Sequence, residues 1–362
     1  MSDYISGLRS DLVAAAARER NRTQRGALAP ALRPRAWRWR GALAAVALTA
    51  AAAAFVVAVV ALAPKAPQRA ARPRIIATIA SRTIPDSAAF GAGSLWIADF
   101  NGTLVRVDPT RRRVQQRIAL GGQVDSVAAA GDDVWARVVS RTEHDAGTVV
   151  RIDPARGRVA ARVTVGPGSG LAVGARWVWA PRKFTTPAGI DRIDRARAAR
   201  TGRTDVRDVD AVAEAGGVLW AAVHDGTIVE LDANTGRVLR RWPTLAPSDA
   251  PALAADTGGL WVLSTQRSQI LRLAGGRVAR AIAVDPTAQP LLARTKGGLW
   301  ITAGGGPGVI NARHQRLQRI DPRTGRTTAT IDLGAQRPVA LVPSGHDLLV
   351  VTAAGRVLVV GS

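Results

Sequence analysis

The chain has 362 residues and a formal net charge of +23, from 50 Arg and Lys against 27 Asp and Glu, and it contains no cysteine. Disulfides, thiolate nucleophiles and Cys-ligated metals are therefore excluded. With four His and four Glu in the whole chain, general acid–base chemistry has few candidate groups.

The basic residues are overwhelmingly Arg and are spread over the whole length. That bias reads as genome composition and a solvated surface rather than as dedicated guanidinium chemistry. A basic surface favours anionic partners in general, but no nucleic-acid partner is expected. Arg111-Arg112-Arg113 falls at a turn, and the tryptophans recur at one fixed strand position, which marks them as core rather than as a base-stacking platform.

In chain order, residues 3–20 are expected to form a helix. Ser2 or Asp3 can cap it, Ile5, Leu8 and Leu12 share a face, and Arg18, Arg20, Arg22 and Arg25 make its far end basic. Pro30 and Pro34 turn the following stretch into a linker, so residues 1–40 read as an Arg-rich cytoplasmic tail. Residues 41–63 contain no charge and are mostly Ala, Val and Leu. Such a run covers roughly 35 Å as a helix, against a hydrocarbon core of about 30 Å. Trp37 and Trp39 suit the interfacial belt, and the arginines before the run outnumber the basic residues after it. The expectation is a single-pass, uncleaved anchor with its N-terminus inside and the rest of the chain outside the cytoplasm. A cleaved signal peptide is the competing reading; a charged segment of this length before the apolar run argues against it. Residues 64–73 form a basic linker containing prolines.

From residue 74 onward the sequence repeats. Trp96, Trp135, Trp179, Trp220, Trp261 and Trp300 stand 39 to 44 residues apart. Each is followed by a second apolar segment such as Leu104-Val105-Arg106-Val107-Asp108-Pro109 or Leu317-Gln318-Arg319-Ile320-Asp321-Pro322. A period of about forty with several short strands per unit signifies a β-propeller. The segments Asp153-Pro154-Ala155-Arg156-Gly157 and Asp232-Ala233-Asn234-Thr235-Gly236 supply tight turns, so their aspartates are read as structural. A seventh unit is degenerate, with Leu349 in the tryptophan slot, and it stops one strand short. Arg74–Ile79 has the pattern of the missing outer strand. The expected fold is thus all-β: a seven-bladed β-propeller over 74–362, its ring closed by strand 74–80 in the last blade.

The unit Gly-x-Leu/Val-Trp-Val/Ile followed by Gly-Thr-apolar-apolar-Arg-Ile/Val-Asp-Pro-x-x-Gly-Arg-Val resembles the YncE-like and streptogramin (virginiamycin B) lyase-like seven-bladed propellers over residues 74–362. The resemblance implies the fold. It would also imply a metal-dependent lyase using a His/Glu cluster with bound magnesium, but the propeller's glutamates are Glu143, Glu214 and Glu230. No His-x-Glu pair accompanies them, so no catalytic residue is carried over.

Candidate binding residues gather where the D–A and B–C connections of a propeller share one face. The residue ten before each tryptophan opens strand A near the axis, and in three units it is Asp: Asp86, Asp125 and Asp210. Three carboxylates round one mouth would repel unless a divalent cation or a cationic ligand sat among them. His144, His224 and His314 fall in B–C loops, with Asp99, Arg137 and Arg182 as neighbours. The expectation is a membrane-anchored, non-enzymatic module that binds a protein, glycan or small molecule at this mouth. The alternative is a metal-dependent lyase or hydrolase using the same groups, with the metal not identified by any spacing motif.

Overall fold

The computed structural model describes residues 72–139, 147–183, 187–247, 249, 251–304 and 315–361. The expected helix over 3–20 and the apolar span over 41–63 lie outside the described residues. Among those described, no helix is long and apolar enough to cross a membrane.

The described chain forms seven four-stranded antiparallel sheets. Blade 1 comprises Pro85–Gly91, Ser94–Asp99, Thr103–Asp108 and Arg113–Ala119 as strands A to D, and blade 2 comprises Gln123–Ala130, Asp133–Val139, Gly147–Asp153 and Arg158–Val165. Blade 3 has Ala172–Val173, Trp177–Arg182, Gly189–Asp194 and Ala199–Thr204; blade 4 has Val209–Ala215, Val218–Val223, Thr227–Asp232 and Val238–Pro243. Blade 5 runs Ala252–Asp256, Gly259–Ser264, Gln269–Ala274 and Arg277–Ala283; blade 6 runs Leu292–Thr295, Gly298–Ala303, Gln315–Ile320 and Thr327–Gly334. Blade 7 takes Pro338–Ser344, Asp347–Thr352 and Arg356–Gly361 from the end of the chain and Arg74–Ala80 from its beginning. The last pair is antiparallel, with Arg74 opposite Gly361 and Ala80 opposite Arg356. The all-β, seven-bladed expectation and its ring closure by strand 74–80 both hold.

Burial along the strands follows from their place in a blade. Strand B lies between A and C and between two neighbouring blades, so Ser94–Asp99 is buried at every position. Strand D is the outer edge, and Arg113–Ala119 alternates exposed and covered residues, the two-residue period of a half-solvated strand.

The tryptophans join the blades. Trp96 packs with Val124, Val134 and Ala136 of blade 2, and Trp135 with Val178 and Ala180 of blade 3. Trp179 meets Leu219 and Ala221 of blade 4, and Trp220 meets Leu260 and Val262 of blade 5. Trp261 then packs on Leu299 and Ile301, and Trp300 on Leu348 and Val350. In blade 7, Leu349 takes the same role against Leu95 and Ile97 of blade 1. Six of the seven interfaces thus bury an indole, the largest apolar side chain, and the seventh buries a leucine in its place.

The strand C arginine paired with the tryptophan has a structural task that composition did not suggest. Arg106 stands opposite Trp96 in the ladder and lies over its ring at 5.2 Å; Arg151, Arg272 and Arg319 lie likewise over Trp135, Trp261 and Trp300. These are cation–π contacts held inside a repeat. Arg106 also donates to Pro154 O of the next blade at 2.7 Å. In blade 4 the arginine is replaced by Glu230, which accepts from the indole Nε1 of Trp242 at 3.2 Å, while Trp242 stacks on Trp220 at 6.4 Å. The turn aspartates are structural as read. Asp108 accepts the backbone N–H of Thr110 and Arg111, and Asp232 those of Asn234 and Thr235. These bonds hold both carboxyls below the usual carboxylate range.

Candidate functional site

Strands A of adjacent blades neighbour one another round the axis, and each antiparallel pair places the start of A beside the end of B. Pro85 faces Asp99, for example, and Val209 faces Val223. The D–A and B–C connections therefore share one face, the mouth.

The aspartate slot coincides with a recurring irregularity. The ladder skips one residue between Pro85 and Ser87, between Val124 and Ser126, between Val209 and Ala211, and between Pro338 and Ala340. Asp86, Asp125 and Asp210, with Val339 in blade 7, are the skipped residues. A β-bulge leaves its extra residue unpaired and re-aims its side chain. The three carboxylates are consequently set apart from the ladder at the mouth end of three inner strands.

They do not form one cluster. Asp210 accepts from Lys183 Nζ at 2.7 Å and contacts His224 Nδ1 at 3.1 Å, so its cation is supplied by the protein. Asp86 and Asp125 influence one another as like charges. Burial raises the Asp86 carboxyl above its ordinary range, offset by a hydrogen bond from Gln123. Burial pushes Asp125 up to about 7, with Arg137 opposing the rise and Asp86 adding to it. Asp125 Oδ1 is buried and has no hydrogen-bond partner among the described residues. Among the described residues, no group of three His, Cys, Asp or Glu side chains could hold a metal ion. Glu214 and Glu230 are engaged with indoles, Glu214 accepting from Trp179 Nε1 at 2.7 Å.

The other expected residues lie as follows. Asp99 is buried and accepts the N–H of Ile84 at 3.0 Å and of Asn101 at 3.3 Å, tying the B–C turn to the connection before strand A. Arg137 is fully buried. Its guanidinium donates to Pro181 O and Gly166 O, each at 2.7 Å, and to Gly170 O at 3.4 Å. Burial lowers its pKa, while Asp125 and Asp191 counter that. Arg182 lies 3.8 Å from the fully buried Asp191, which accepts the Gly166 N–H at 2.9 Å. Arg137 and Arg182 thus hold the 166–170 connection of blade 3 in place rather than presenting themselves to solvent. The glycines there make room. A Cβ on Gly166 would stand 2.0 Å from Arg182 Nε, and one on Gly168, at φ +150°, would stand 2.4 Å from Pro181 O. His144 and His314 lie outside the described residues.

The sequence reading missed Lys183 as the partner of Asp210 and Asp191 as the centre of the arginine network. Lys183 was legible as one of three lysines in the chain; Asp191 had no signal beyond an apolar strand.

A stability prediction follows from Asp125. Its folded value of about 7 exceeds the ordinary 3.8, so the folded state keeps a proton that the unfolded chain releases between those pH values. Stability falls as pH rises from about 4 through 7 and levels off above. Asp125→Asn, which cannot ionise, should raise stability by about 2–4 kcal/mol at pH 8 and leave it little changed below pH 4. Thermal melts across that range check it, and parallel pH profiles for the two proteins would contradict it.

Compared with known proteins, the chain matches no family model and no curated protein.

Proposed function

We propose that this chain is a single-pass, membrane-anchored propeller of the YncE-like, streptogramin lyase-like kind, displayed outside the cytoplasm, and that it binds a cationic ligand at its mouth without transforming it. The observation that carries the reading is the buried Asp125 Oδ1, which has no hydrogen-bond partner among the described residues and stands on a bulge beside Asp86. A carboxylate left without a donor is costly in the free protein, and an amine or guanidinium placed there would supply both charge and hydrogen bond. The charge of the face is compatible with this: its described D–A and B–C connections carry five aspartates and five Arg and Lys, and the strand A bulges add Asp86, Asp125 and Asp210. The anchor is supported by the uncharged 41–63 run, the basic stretch before it and the interfacial tryptophans.

A thermal-shift screen of the full chain in detergent tests this, with putrescine, spermidine, an amino sugar, a neutral sugar and calcium as probes. A ligand at a hundred times its dissociation constant adds about 2.7 kcal/mol. The expected result is a shift with amines that is absent in Asp125→Asn. A shift with calcium alone, removed by chelator, would replace the amine reading with a metal site. No shift with any probe would overturn ligand binding at this mouth.

A further inference from the structure

The two faces of the propeller differ in charge. The A–B and C–D turns lie opposite the mouth, because each A–B turn sits beside the C–D turn of its own blade, as Ser94 and Leu95 sit near Val107 and Asp108. Together with residues 72–74, these turns hold twelve Arg and Lys against two Asp among the described residues, whereas the described D–A and B–C connections hold five against five. The anions of the basic face are consumed internally. Asp108, Asp153 and Asp232 accept backbone N–H groups of their own turns, and Asp133 is shared by Arg151 and Arg195 at 2.9 Å each. Arg112, Arg113, Arg158 and Arg277 are exposed and make no ion pair among the described residues.

The chain joins the propeller on this same face. Strand 74–80 begins opposite Gly361, beside the A–B turn of blade 7. Pro73 is buried there, at one wall of an open crevice that is also lined by Lys296, Arg319 and His346. Residue 72 thus lies on the basic side of the propeller, with the mouth on the other.

We infer that the A–B/C–D face of the propeller docks on the anionic headgroups of the membrane that anchors it, with the Arg111–Arg113 turn and the Lys296 crevice as contacts. This rests on the membrane-anchor part of the proposed function. Phosphate headgroups recruit basic surfaces within about a Debye length, roughly 10 Å at 0.1 M salt. A tether leaving from the same face raises the effective concentration of that surface at the bilayer, so the contact needs little intrinsic affinity. The mouth then faces away from the bilayer, accessible to a soluble ligand.

The absence of cysteine allows a direct test on the full chain. A donor dye is placed by Thr110→Cys in the C–D turn of blade 1, or by Asn101→Cys in the B–C turn of the same blade. Both side chains are exposed, and both turns are held by backbone bonds to an aspartate. The protein is reconstituted in vesicles of phosphatidylcholine alone, or of equal parts phosphatidylcholine and phosphatidylglycerol, with an acceptor on the lipid headgroup. Energy transfer from position 110 should be at least about twofold greater in the anionic vesicles, and should fall to the neutral level in high salt. It should also fall in an Arg111→Gln, Arg112→Gln, Arg113→Gln variant. Transfer from position 101 should be small in both. Equal transfer from position 110 in the two compositions, or greater transfer from position 101, overturns the inference while leaving the anchor intact. A chain that floats with neither vesicle removes the anchor, and this docking with it.

Discussion

Arg137→Ala is expected to destabilise the propeller by about 3–5 kcal/mol, a loss that lowers the melting temperature by roughly 10 °C in a domain of this size. Three effects add. The carbonyls of Pro181 and Gly166 lose donors at 2.7 Å in a place closed to water, each at the cost of an unsatisfied buried acceptor. Asp191, itself fully buried, loses a compensating charge. The space left by a fully buried arginine is large and bounded by backbone, so it collapses poorly. Arg137→Lys separates these effects. Lysine retains the charge but cannot span both carbonyls as the planar guanidinium does, and a smaller loss of about 1–3 kcal/mol is expected. Denaturant melts of the three proteins give the comparison. An alanine variant as stable as the wild type would mean that the 166–170 connection is held by its own backbone.

The second large effect concerns ring closure. A chain beginning at residue 72 should fold cooperatively, whereas one beginning at residue 81 should not. Strand 74–80 covers the edge of Arg356–Gly361 through six paired positions, and it supplies Ile79, buried with Val357 and Val359 in the blade 7 to blade 1 core. Its loss would expose several apolar side chains at about 1.5–3 kcal/mol each and open a long strand edge. The sum approaches the whole stability of an ordinary domain, about 5–15 kcal/mol. Purification of both fragments, followed by circular dichroism melts, reports the result. A cooperative transition in the shorter fragment would show that the ring closes without its N-terminal strand.

Much of this architecture could be read from residue order, because the signals are local and repeated. Trp96 and its successors mark strand B, the Asp-Pro and Asp-x-x-Thr-Gly turns mark the C–D corner, and the match between Arg74–Ile79 and the other D strands identified the closure. The slot of Asp86, Asp125 and Asp210 was also legible by counting back from each tryptophan. What the count could not show is the bulge that sets these residues apart from the ladder, since a bulge depends on the pairing of two strands. Nor could it show that Lys183 would reach Asp210 from the neighbouring blade. Arg137 was misplaced for a similar reason. Its partners are Gly166, Gly170 and Pro181, tens of residues away, and only the packing of blade 2 on blade 3 turns a strand-end arginine inward. The arginines over the tryptophans were hidden by composition: in a chain so rich in Arg, a structural arginine looks like any other.

The proposed function places a cation on Asp125 at the mouth. Its most direct test is a calorimetric titration of the full chain with spermidine at pH 6 and pH 8, beside Asp125→Asn. A carboxyl titrating near 7 is about nine-tenths protonated at pH 6, and a ligand that needs it ionised then binds about tenfold more weakly. The account predicts tighter binding at pH 8, with proton release on binding at pH 6, and loss of both in the variant. Equal affinity at the two pH values, or an Asp125→Asn protein that binds as the wild type does, would contradict it.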